Sequence, residues 1–176
     1  MTLKASFNLM ADYNQWMNNN VYSSAARMSV ADLSEDRGAF FGSVLGSLNH
    51  ILVADVIWLK RFSDHPHKFT SLDYVLTFED PQSLDEILFA EFSELRKKRS
   101  EMDEVIKNFA DELTDEILGS TFRYKGMRGK PYNKKFGLVI QHFFNHQTHH
   151  RGQISTLLNQ ADIDIGTTDL LVRIPD

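Results

Sequence analysis

Between Phe40 and Phe62 the chain reads FFGSVLGSLNHILVADVIWLKRF, and at helical spacing Val44, Leu45, Leu48, Ile51, Leu52, Val53, Val56, Ile57 and Leu59 leave almost no polar side. A helix that is apolar nearly all round must be packed on several sides. This run therefore predicts a fold that surrounds it with other helices. Only 4 Pro and 9 Gly interrupt the 176 residues, while 13 Phe and 6 Met supply bulky and adaptable core side chains. The length suits one domain over residues 1–176.

The rest of the chain supplies the partners. From Leu3 to Met28, apolar residues recur at Leu3, Phe7, Met10, Trp16 or Met17, Val21 and Ala25, which predicts a first helix. Ser29 to Gly38 is polar, and Ser63 to Asp80, with His65, Pro66 and His67, reads as a solvated connection. Pro81 followed by the Ser83, Glu86 pair has the form of a capping box. It predicts a third helix running to Phe109 on Leu84, Ile87, Leu88, Phe92, Leu95, Met102 and Ile106, with the charges Arg96 to Arg99 on its solvated face. A short turn at Leu113 to Leu118 precedes TFRYKGMRGKPY (Thr121 to Tyr132), which reads as a small hairpin. A fourth helix covers Asn133 to Gln160, and the tail Asp162 to Asp176 is apolar enough to dock. The expected fold is all-α, a four-helix bundle with a small hairpin before its last helix. In such a bundle, side chains from different helices can converge on one ion or cofactor.

Charge and composition remove several functions. Nineteen Lys and Arg against 24 Asp and Glu leave a net charge of −5, without the positive surplus that binds nucleic acid or an acidic membrane surface. The first residues lack a signal peptide's basic start and apolar run, and no charge-free apolar stretch reaches the roughly 18 residues of a membrane span. A cytoplasmic protein is expected. With no Cys, there is no disulfide, no cysteine-based zinc or iron–sulfur site and no cysteine nucleophile. Any sulfur nucleophile has to arrive as a small-molecule thiol.

Four of the 7 histidines, His142, His146, His149 and His150, crowd into QHFFNHQTHHRGQI. On a wheel of ~100° per residue, His150 falls within about 20° of the apolar centre set by Phe136, Val139, Phe143, Ile154, Leu157 and Leu158, and His146 within about 60°. His142 and His149 lie about 100° or more away. Side chains at i and i+4 stand one turn apart, close enough for two imidazoles to reach one ion. His50 is the other histidine inside a long apolar helix, and it becomes the third candidate ligand. Three inward imidazoles without partners would each carry a desolvation cost that a shared cation removes. His142 stands one turn before His146 and offers a second register for the pair. Gln147 occupies the place where an H-E-x-x-H metalloprotease has its glutamate base, and the paired Glu-x-x-His motifs of di-iron bundles are missing. Asn49, Gln147 and Asp55 are candidate outer partners, Asp55 equally as an interhelical hydrogen-bond acceptor.

DYNQW (Asp12 to Trp16), GSLNHILVADVIWLKRF (Gly46 to Phe62) and NHQTHHRGQI (Asn145 to Ile154) together resemble the DinB, or YfiT-like, superfamily of metal-dependent enzymes, in order along nearly the whole chain. The resemblance implies a four-helix bundle, commonly dimeric, that holds a divalent metal ion through His50, His146 and His150. Zn, Ni and Fe all accept imidazole. It also implies a small-molecule substrate, reached in some relatives with a low-molecular-weight thiol by S-transfer or isomerisation. A metal-binding bundle that acts only by association is the alternative, and no residue is assigned a catalytic role. A homodimer is expected as well from apolar area on the second helix and at Trp16, Met17 and Val21.

Overall fold

The computed structural model describes residues 2–175. Four long helices make the bundle: α1 (Leu3–Ala25), α3 (Val44–Ser63), α4 (Phe92–Glu112) and α6 (Phe136–Gln160). The short helices α2 (Val30–Ser34) and α5 (Asp115–Gly119) lie in the connections, and β1 (Thr121–Lys125) pairs antiparallel with β2 (Pro131–Lys135). Helix α1 packs on α4 and α6, and α3 packs on α6. A 3-10 helix, Thr70–Thr77, touches both α3 and α4, which meet each other only sparingly. It fills the side of the bundle that the two helices leave open.

Local chemistry starts several of these elements where the sequence allows it. The side chains of Thr2, Ser43 and Thr114 accept backbone N–H groups at the starts of α1, α3 and α5. Gly46, in the first turn of α3, lies under the Phe41 carbonyl, which a Cβ there would approach to 2.2 Å. Its lack of a side chain lets residues 39–42 fold back over the helix. One end of the core is aromatic. Phe62 stacks on Phe109 with centroids 5.6 Å apart and meets Phe122, Phe136 and Phe143 edge-on.

The third helix starts eleven residues later than Pro81 predicts, at Phe92. The Glu86 carboxylate accepts the N–H of Gln82 at 2.6 Å, not that of Ser83 as a capping box requires, and no helix follows. Instead, the Asn49 side chain donates to the Phe89 carbonyl and accepts the Phe89 N–H, both at 3.0 Å. His50 Nδ1 meets the Leu84 carbonyl at 2.7 Å. Backbone groups that a helix would pair internally are thus claimed by α3. Leu84 and Ile87, expected in the core, are 48% and 49% exposed.

Other expectations shift less. Asn133 to Lys135 belong to β2, so α6 opens at Phe136. His65 is buried, not solvated: it stacks on Phe136 with centroids 4.6 Å apart and its Nε2 lies 2.9 Å from Ser120 Oγ. Met17 and Val21 are buried within the protomer and α3 is covered by its neighbours, so the apolar area expected to drive dimerisation is largely used inside one chain. The tail docks on α1 through Tyr13 Oη donating to the Thr168 carbonyl (2.6 Å) and through the Arg173–Asp12 pair (2.7 Å), with Asp176 lying outside the described residues. No helix among the described residues is long and apolar enough to cross a membrane.

A polar layer crosses the middle of the bundle and takes at least one side chain from every long helix. Arg99 of α4, expected in solvent, is buried and pairs with Asp55 of α3 and, at 3.0 Å, with Asp103 one turn along α4. Gln147 of α6 donates to Asp55 at 2.8 Å, and Asn18 of α1 donates to Asp103 at 2.8 Å. Arg151 of α6 donates to the side-chain oxygens of Asn14, Asn18 and Gln147. Two carboxylates face two guanidiniums, so the layer closes electrically, which is the condition for burying charge in a core.

Candidate metal centre

His50, His146 and His150 meet in the groove between α3 and α6. The two helices are antiparallel here, since His50 faces His150, Trp58 faces His142 and Phe62 faces Phe136. On α6 the i, i+4 spacing stacks His146 and His150 on one side of the helix. The polar layer fixes which side. Gln147 and Arg151, each one residue or ~100° further round, are held in the layer, and this azimuth leaves His146 and His150 turned toward His50.

The three Nε2 atoms form a nearly equilateral triangle: 3.1 Å from His50 to His150, 3.1 Å from His150 to His146 and 3.3 Å from His50 to His146. The other ring nitrogens decide what faces inward. His50 Nδ1–H donates to the Leu84 carbonyl, and His150 Nδ1–H donates to Gln153 Oε1 at 2.8 Å. With Nδ1 carrying the proton, the Nε2 atoms of His50 and His150 present lone pairs to each other, an arrangement that a cation between them, or a proton on His146 Nε2, relieves. Burial lowers the pKa of all three rings. His146 falls to about 3 and His150 to about 4, through burial first and, for both rings, through crowding by the other imidazoles as well. Near neutral pH none of them carries the proton that would compete with a metal ion.

The donor set fits such an ion. Nitrogens bound at 2.0–2.1 Å in tetrahedral geometry stand about 3.3–3.4 Å apart, and right-angled ligation brings them to about 3 Å. The observed triangle spans that interval. An N–H directed to a carbonyl or amide oxygen behind the ring is also the usual support of a metal-bound histidine. The Phe41 ring lies flat on His50, centroids 3.7 Å apart, and covers one side of the group.

The three sequence-predicted ligands therefore come together, and His142 and His149 stay exposed at the rim, His142 edge-on to Trp58. The outer partners differ from those expected. Asn49 binds the Phe89 backbone, whereas Asp55 and Gln147 belong to the polar layer. The actual partners are the Leu84 carbonyl, Gln153 and Phe41. Of these only Gln153, three residues beyond His150 on the same helical face, left a signal in the spacing.

Fold and site together define a helical bundle with a three-histidine cluster between its second and last long helices. The chain belongs to the DinB family, whose sequence profile matches residues 1–173. It is 25% identical over 174 residues to Protein DinB of Bacillus subtilis (strain 168), covering 90% of this chain and 87% of that protein. A crystal structure of a DinB-like protein from Bacillus cereus ATCC 10987 superposes with a TM-score of 0.59 over 94% of each chain at 19% identity, a likeness of fold.

Proposed function

We propose that the protein is a divalent-metal-dependent enzyme acting on a small molecule, with His50, His146 and His150 as the metal ligands. The observation that carries this reading is the triangle of Nε2 atoms 3.1–3.3 Å apart, with an acceptor oxygen behind two of its rings to take the outer Nδ1–H. When bound, a divalent ion such as Zn, Ni or Fe would offer a position beyond the three imidazoles for water or a thiol and favour its deprotonated form. The protein's own groups do the rest. Leu84 and Gln153 hold the rings in their ligating tautomer, and Phe41 keeps water from one side of His50. Because the chain has no Cys, the S-transferase or isomerase form of this reading needs a low-molecular-weight thiol as co-substrate.

Untagged protein is expected to carry close to one metal ion per chain by elemental analysis, and to turn over a member of a thiol and electrophile panel in a way that a chelator abolishes. Metal without any turnover favours the association-only bundle, and neither metal nor turnover removes the proposal. The same reading keeps a homodimer as the assembly. Its support moves to the exposed Leu171, Val172 and Ile174 beside an apolar groove lined by Leu3, Met10 and Leu170. Sedimentation should show a dimer at micromolar concentration, and a monomer throughout that range excludes it.

A further inference from the structure

The negative net charge conceals a separation of charge along the chain. Residues 121–161 contain seven Lys and Arg and no Asp or Glu, in a chain of net charge −5. Six of the seven, Arg123, Lys125, Arg128, Lys130, Lys134 and Lys135, lie on the hairpin or its turn, and among the described residues none of these six has a carboxylate within 4 Å. Strand register sorts them. Phe122 and Tyr124 turn toward the helices, and their cross-strand partners Lys134 and Tyr132 share that face, while Arg123 and Lys125 face outward.

Behind Lys134 the hairpin and the α3–α6 groove border an open cavity of about 260 Å³, walled by Trp58, Tyr124, Lys134, Leu138, Val139 and His142. Trp58 and Tyr124 meet edge-on at 5.3 Å, and Leu138 is 65% exposed at the rim. Arg61, one turn beyond Trp58 on α3, places its guanidinium 4.8 Å from the Trp58 ring and 5.7 Å from the Tyr124 ring. Among the described residues it also lacks a carboxylate partner, so both aromatic walls are backed by a cation without an anion. The cavity opens next to the histidine cluster, His142 standing 6.1 Å from His146 between ring centroids. Its volume lies below the ~300–1,000 Å³ of pockets for drug-sized ligands, which sets the occupant at one ring or a short chain and not a polymer.

We propose that this cavity binds the body of the substrate, and that the substrate is a small organic anion: an apolar or aromatic portion between Trp58, Tyr124 and Leu138, with its carboxylate or similar group against Lys134. The proposal rests on the metal reading only for what happens at the substrate's other end, one helical turn away.

Cinnamate and its neutral isostere cinnamamide separate charge from shape. Titrated into zinc-loaded and chelated protein and followed by backbone amide NMR, cinnamate is expected to bind in both forms, to shift residues around Trp58, Tyr124 and His142, and to bind about fivefold more tightly than cinnamamide. Lys134→Ala, a surface change that leaves the core intact, should weaken cinnamate about fivefold without altering metal content. Equal affinity for the two probes, an unchanged Lys134→Ala, or shifts confined to other surfaces would overturn the proposal. So would tight binding of a short DNA duplex with steep salt dependence, which would assign the basic hairpin to nucleic acid. Failure of the metal reading shows separately, as wild-type protein that binds cinnamate but no metal.

Discussion

Replacing Asp55 by Ala is expected to destabilise the protein by about 3–5 kcal/mol, the usual cost of removing one partner from a buried ion pair. Asp55 is 1% exposed and Arg99 2%, so water cannot take the place of the lost carboxylate. Burial pushes the Asp55 carboxyl up to about 6 against the pull of Arg99, which leaves it mostly ionised near neutral pH. The loss also strips Gln147 of its acceptor, and Gln147 connects α3 to α6. Asp55→Asn, which keeps an acceptor for Gln147 but removes the charge, should fall between wild type and Asp55→Ala. Urea unfolding followed by circular dichroism measures the series. A loss below about 1 kcal/mol for Asp55→Ala would mean that the pair contributes no more than an exposed one.

This layer also shows where sequence and structure part. The long helices and the converging histidines were legible because both are written in the helical period, and the period survives packing. Arg99 was read as solvated because charge on a helix usually is, yet it occupies the same stripe as Leu95, Met102 and Ile106, and that stripe is buried. Its position and Asp103 one turn along disclosed part of this, but the second carboxylate, Asp55, stands 44 residues earlier on another helix. Residues 81–91 carry a genuine capping signal and still do not form a helix. Asn49 and His50 compete for their backbone groups, and no local pattern in 81–91 records that competition. His65 was obscured in a similar way, since its burial against Phe122 and Phe136 depends on a hairpin and a helix far along the chain.

The largest effect at the site is expected from the histidines themselves. Replacing His50, His146 or His150 by Ala removes one of three ligands. Metal affinity should fall by more than the roughly 10- to 100-fold that loss of an outer hydrogen-bond partner brings, so that at stoichiometric supply the ion is no longer retained. His142→Ala and His149→Ala should keep it, because both rings are exposed and neither has a ring nitrogen in the triangle. The variants should also fold, since Ala in a helix costs little and the three rings line a groove outside the aromatic core around Phe62. Elemental analysis of folded protein, with helicity checked by circular dichroism, reads the outcome. Loss of metal in His142→Ala with retention in His150→Ala would move the site one turn toward the start of α6. Retention in all five variants would make the triangle a cluster of neutral side chains, and the mutual repulsion of the His50 and His150 lone pairs would then have to be relieved by a different tautomer. Nitrogen-15 NMR of the imidazoles detects that directly: ligation predicts no proton on any Nε2 of the three rings, whereas a metal-free cluster places one on His146 Nε2, within reach of both other rings.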